Sequence, residues 1–244
     1  MKNNQQLLEY MKKSSANSKK SHKERIFLDG IHVLIKDQFT TNIDLDKVLN
    51  KVKNSIPHFL FQNVEAIYIG QFKELNEREL NAAYMDGALY LTNEQKSEVN
   101  MLEDIVHEIA HSIEELASFD MYTDNKLNRE MVIKRAKLKQ LLKDNKFDVS
   151  KHDFLNIEYN KKFDMYLYEE IGYPILNTLT VGLFCSPYGA TSIREYFANG
   201  FEFFFLKDRE MVKQISPQLY KKLIEIEKGS FFNNTDEITE DLSY

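Results

Sequence analysis

Leu102, Ile105, Val106, Ile109, Ile113 and Leu116 recur at intervals of one, three and four residues, the period of an α-helix with one apolar stripe. The opposite face of that helix carries Asp104, His107, Glu108, His111 and Glu115. A helix of this kind must bury its back and turn two histidines, one turn apart, toward a cleft. The rest of the chain suits long helices, because only 8 Gly and 4 Pro interrupt its 244 residues. A hydrophobic fraction of 43% is enough to build a core behind them.

Strand signals come before this helix. Residues 25–37 (RIFLDGIHVLIKD) predict a β-hairpin about Asp29-Gly30. Residues 42–55 predict a helix with Leu45, Val48, Leu49 and Val52 on one stripe, ended by Pro57. A buried strand follows over 64–72, and a strand pair over 82–91 turns at Asp86-Gly87. After the motif helix, apolar spacing predicts helices over about 124–146, 150–170, 191–206 and 217–227, the first with an outer face rich in Lys and Arg. The expected fold is α+β: a small mixed sheet packed on the histidine-bearing helix, then a mainly helical C-terminal half.

A basic arm over 1–24 is expected to precede a single domain over 25–230, and an acidic tail over 231–244 to follow it. Residues 1–25 hold seven basic side chains against two acids, and the tail holds Asp236, Glu237, Glu240 and Asp241 with no basic residue. Residues 120–175 read as a helical insertion in the domain.

The net charge of −6 argues against a chain held to nucleic acid by bulk charge. The single cysteine, Cys185, forms no intrachain disulfide and excludes an all-cysteine metal site. The N-terminus has no apolar core of signal-peptide length, and no apolar run reaches the length of a membrane helix. The expectation is a soluble protein, cytoplasmic or delivered without a cleaved signal. Oligomeric state is not written in the sequence.

His107-Glu108-Ile109-Ala110-His111 has the spacing HExxH. Residues four apart on a helix place their Cβ atoms about 6 Å apart, so two imidazoles converge on one Zn²⁺. Glu108, one residue on, lies beside such a metal without binding it and can take a proton from the metal's water. Two surface histidines on an acidic helix would share this pattern, but a strongly amphipathic helix following strands is the order expected of a zincin. A catalytic zinc needs a third protein ligand. The extended pattern HExxHxxGxxH fails, since position 114 is Glu, position 117 is Ala, and His152 is the only later histidine. The candidate is Glu195, on a helix where Glu195, Ala198, Asn199 and Glu202 share a face. From the residues alone, Glu195 reads equally as a ligand and as a solvated acid at a helix start.

HEIAHSIEE, followed downstream by YGATSIREYFANGF, resembles the anthrax lethal factor-like metallopeptidases, including the proline-specific endopeptidases of clostridia. In that pattern paired acids follow HExxH on the same helix, here Glu114 and Glu115. A Tyr, here Tyr188, precedes a Glu by seven residues, here Glu195. The resemblance covers about 25 residues in two segments and implies Glu195 as the third zinc ligand. It also implies Tyr188 as hydrogen-bond donor to the oxyanion of the tetrahedral intermediate, with Glu115 and Asn199 supporting the ligands. Asn199 departs from the acid found at its position in the family, and the stretch between His111 and Tyr188 is long.

The implied activity is zinc-dependent endopeptidase action on a protein or peptide, with Glu108 as general base. Residues Ala88, Leu89, Tyr90 and Leu91, just upstream of the motif helix, are expected to form the cleft edge to which an extended substrate adds as a strand. The alternative is a catalytically silent zincin-fold protein with a structural or interaction role. A DNA-associated zincin, suggested by the basic arm and the basic helix, is opposed by the acidic total and the missing third histidine.

Overall fold

The structure, a computed structural model, describes residues 23–28 and 30–231. The basic arm, apart from residues 23 and 24, and the acidic tail beyond residue 231 lie outside the described residues. The chain divides into two compact units, one ending at Ser112 and one beginning at Ile113. The sequence reading had a single domain over 25–230. The boundary falls inside the helix that carries the motif.

The first unit is built on a five-stranded mixed sheet. Strands β1 (Lys23–Phe27) and β2 (Ile31–Ile35) form the expected antiparallel hairpin. Helix α1 (Leu45–Ser55) then leads to β3 (Ala66–Ile69), which pairs parallel with β2. Asp44 caps α1 by accepting the Lys47 N–H, and the buried stripe is the predicted Leu45, Val48, Leu49 and Val52. A short helix α2 (Lys73–Arg78) precedes β4 (Ala82–Met85) and β5 (Ala88–Leu91). These last two strands pair antiparallel about Asp86-Gly87, whose φ values of 48° and 77° are those of a two-residue hairpin turn.

The sheet order is β1-β2-β3-β5-β4. β5 therefore pairs on both sides, parallel to β3 and antiparallel to β4, and cannot be the cleft edge assigned to Ala88, Leu89, Tyr90 and Leu91. A strand with both neighbours in place has no free ladder to offer a substrate. On this side of the sheet the edge strand is β4, with β1 at the opposite edge. The Thr92 N–H donates to the Asn81 carbonyl, so by the alternation of an antiparallel pair the backbone groups of Ala82 and Tyr84 point outward.

Helix α3 (Glu98–Tyr122) carries the motif. Its buried positions include Met101, Ile105, Val106, Ile109, Ala110, Ile113, Ala117 and Met121, whereas Leu102 is half-buried and Leu116 is 48% exposed. The apolar stripe rotates off the predicted line as the helix passes into the second unit. The small side chains Ala110 and Ala117, not Leu116, continue it.

The second unit is helical: α4 (Lys126–Asp144), α5 (Lys161–Met165) running into a π turn (Tyr166–Ile171), α6 (Tyr173–Leu179), a 3₁₀ turn (Pro187–Ala190), α7 (Ile193–Leu206), α8 (Arg209–Ile215) and α9 (Pro217–Glu227). Residues 120–175 belong to this unit and supply its core through Leu127, Met131, Leu138 and Leu142. The helix expected over 150–170 begins only at Lys161. Upstream of it, side chains of Asp148, Asp153, Asn156 and Asn160 accept backbone N–H groups two or three residues on. Such local bonds compete with the helical ladder.

The basic face predicted for α4 is only partly solvated, because Lys134 and Arg135 are buried. Lys134 Nζ donates to the carbonyls of Leu183 and Ile215, and burial lowers its pKa to about 8. Gly200 is needed where α7 meets α9, since a Cβ there would lie 2.2 Å from Leu219 Cδ2. No helix among the described residues is long and apolar enough to cross a membrane.

Candidate metal centre

His107 and His111 lie on consecutive turns of α3, with ring centroids 5.0 Å apart and planes at 76°. His107 is half-buried and His111 is buried. Glu108 is 8% exposed, and its Oε2 accepts the outward N–H of Tyr84, on the edge strand β4, at 2.7 Å. One carboxylate oxygen is therefore held by backbone. The same middle stretch of the helix is held by Asn63, whose Nδ2 donates to the Ser112 carbonyl and to the Tyr84 hydroxyl.

Glu195 sits in the first turn of α7, where its N–H donates to the Oγ of the N-cap Ser192 at 3.2 Å. Ser192 and Glu195 have the S-x-x-E spacing of a helix start. Tyr188 lies in the 3₁₀ turn that leads into this helix. Asn199 is buried, and its Oδ1 has no hydrogen-bond partner among the described residues. A Cβ at Gly189 would come within 3.2 Å of that atom, so the turn bearing Tyr188 rests closely on Asn199.

His107, His111 and Glu195 each offer one ligand atom, and these three atoms all lie within 4.8 Å of one another. Around a tetrahedral ion with bonds of about 2.1 Å, ligand atoms sit about 3.4 Å apart. Two imidazoles and one carboxylate form a nitrogen and oxygen donor set that suits zinc.

Around these candidate ligands the structure sorts the paired acids and adds residues that were not singled out in the sequence. Glu114, not Glu115, is the buried acid of the pair, at 4% exposed; Glu115 is exposed, so its support for a ligand does not follow. Glu114 accepts Arg194 Nε at 2.9 Å and the Tyr122 hydroxyl. Burial, with the Glu114 carboxylate adding to it, holds the Tyr122 hydroxyl far above the usual tyrosine range. Glu114 falls three residues after His111, on the histidine face, and that spacing was a usable signal. Arg194, its partner, immediately precedes Glu195.

Asp164 and Tyr173 both feel the charge of Glu195. Burial first, and Glu195 among the neighbouring groups, raises the pKa of each, while the Tyr159 hydroxyl bond to Asp164 works the other way. No sequence signal marks these two. Arg135 is fully buried and donates to the carbonyls of Ala190 and Thr191, between Tyr188 and Glu195, and to those of Phe154 and Asn156.

Comparison of the chain with family models, with curated proteins and with solved structures finds no match.

Proposed function

We propose that the chain is a zinc-dependent endopeptidase of the zincin type, similar to the lethal factor-like metallopeptidases. The observation that carries the reading is the meeting of His107, His111 and Glu195, two ligands from one helix and a third from far along the sequence. A chance HExxH on a surface helix has no reason to meet a distant carboxylate.

His107, His111 and Glu195 would hold the ion, which supplies Lewis acidity toward a water molecule and the scissile carbonyl. Glu108 accepts the proton of the attacking water and passes it to the leaving amine. Its Oε2 is held by the Tyr84 N–H, so the free oxygen keeps one orientation. Tyr188 is assigned the hydrogen bond to the oxyanion on the ground of the resemblance. A polypeptide substrate would add as a strand along β4, where Ala82 and the Tyr84 carbonyl face outward, in place of the paired β5.

The test is metal analysis of purified protein beside its variants, with turnover measured on a peptide library. Wild type is expected to bind one zinc and to cleave, and Glu195→Ala to lose most of its metal. Glu108→Gln, which keeps an acceptor for the Tyr84 N–H, is expected to retain zinc and lose turnover. Wild-type protein that stays metal-free under excess zinc, or a Glu108→Gln variant that cleaves as well as wild type, overturns the reading.

A further inference from the structure

Between α4 and the start of α9 lies a cavity of about 750 Å³, away from the metal ligands in sequence and built wholly from the second unit. Its rim is basic: Lys126, Arg129, Lys137 and Lys221 surround a floor that includes Ile133, Leu183 and Ile215. Ile133 is 56% exposed there. The one acid in the wall, Glu130, is already engaged, accepting the Tyr196 hydroxyl and the N–H groups of Gln218 and Leu219. Lys126 pairs with Asp124 at 3.1 Å, whereas Arg129, Lys137 and Lys221 have no carboxylate partner among the described residues. Three unneutralised cations over an aliphatic floor fit a peptide that alternates acids with aliphatic side chains.

The chain carries such a segment directly after α9. Residues 236–242 read Asp-Glu-Ile-Thr-Glu-Asp-Leu, four acids with Ile238 and Leu242 among them, and 232–244 contain no basic residue. The end of α9 also turns the right way. Gly229, at φ 73°, closes the helix, with the Gly229 and Ser230 N–H groups donating to the Ile226 and Glu225 carbonyls. By Phe231 the chain has doubled back, and that ring lies 5.5 Å from Lys222 Nζ. Lys222 shares Asp124 with Lys126, a residue of the cavity rim. The first acid, Asp236, is five residues beyond Phe231, a reach of up to about 17 Å when extended, against an α9 about 16 Å long.

We propose that the acidic stretch 236–242 docks in this basic cavity of its own chain, its carboxylates against Arg129, Lys137 and Lys221 and its aliphatic side chains over Ile133.

Hydrogen exchange on the full-length protein tests this at low salt and at about 0.5 M salt, where Coulomb attraction is screened within a few ångströms. The amides of 236–242 are expected to exchange about tenfold or more slowly than an unstructured peptide at low salt, and to lose that protection at high salt. The exposed-residue variant Lys137→Glu/Lys221→Glu is expected to lose it as well, with its melting temperature unchanged. Adding Glu240→Lys and Asp241→Lys to that variant is expected to restore it. Unprotected amides in wild type, or protection untouched by the charge reversal, overturn the proposal. Protection that rises with protein concentration also overturns it, because the occupant is then a second copy's tail.

Discussion

Replacing Arg135 by Met is the most direct probe of how the second unit holds the segment from Tyr188 to Glu195. The guanidinium is fully buried, and its acceptors are four backbone carbonyls rather than a carboxylate. It also lies 3.7 Å from the centroid of the Phe163 ring. Methionine fills much of the same space but donates nothing. Ala190, Thr191 and Phe154 are buried, so their carbonyls would lose a partner at about 2 kcal/mol each, about 6 kcal/mol together. The Asn156 carbonyl can turn to water, since that residue is exposed.

Against this stands the desolvation that Arg135 now bears. Burial lowers its pKa from 12.5 to about 10, with Asp153 opposing, which corresponds to about 3 kcal/mol relieved when the charge is removed. The net loss is about 3 kcal/mol, or a fall in melting temperature of about 6–12 °C for a chain of this size. Thermal unfolding by circular dichroism measures it, with Arg135→Lys expected to fall between wild type and Arg135→Met. Affinity at the proposed zinc site should drop about tenfold or more, because the bonded carbonyls flank the approach to Glu195. An Arg135→Met protein melting within about 2 °C of wild type would refute the reasoning.

Three further outcomes follow from the same structure. Gly200→Ala should destabilise by about 1–2 kcal/mol despite the better helix propensity of alanine, since the new Cβ would meet the fully buried Leu219; in urea denaturation, adding Leu219→Ala must cost less than it does in wild type, and strict additivity would sink the steric account. Cys185, pushed by burial from a pKa of 9.0 to about 12, should react with a disulfide reagent at pH 8 about a thousandfold more slowly than an ordinary thiol; labelling at the ordinary rate would contradict that. Glu114→Ala strips a buried acceptor from Tyr122 and a partner from the half-exposed Arg194 and should cost about 2 kcal/mol in denaturant titration, against no measurable change if water replaces both bonds.

The strands and helices that the sequence displays most openly share one property: local chemistry and burial agree. Asp86-Gly87 supplies both positive φ values of the β4–β5 turn, and Asp44 caps a helix whose stripe is fully buried. Where they disagree, periodicity misleads. Leu116 continues the helical count but is exposed, because burial along α3 shifts to Ala117 and Met121 once the helix enters the second unit. Sheet order was beyond reach for a different reason. β5 looks like an edge in sequence because it is the last strand, yet the hairpin folds β4 outside it. Nothing in the residues of Ala88–Leu91 distinguishes a strand with two partners from a strand with one.

His107 and His111 were legible as candidate ligands because HExxH fixes residue type and spacing together, and Glu195 joined them only through the resemblance, whereas the groups around them obey looser rules. Arg135 illustrates how much could have been read. Met131, Arg135, Leu138 and Leu142 keep the spacing of one buried face, so an arginine at the second position had to be either solvated by distortion or satisfied inside. The basic composition of α4 suggests a solvated outer face, but the phase of Arg135 puts it with the buried stripe. Its acceptors, by contrast, come from two loops about 20 and 55 residues away, and such carbonyls carry no side-chain signature. A buried cation without a buried acid is thus the mark of a backbone that must be gathered. Here the gathered backbone leads directly from Tyr188 to Glu195, which is why the fate of Arg135 and the hold on the proposed third ligand should rise and fall together.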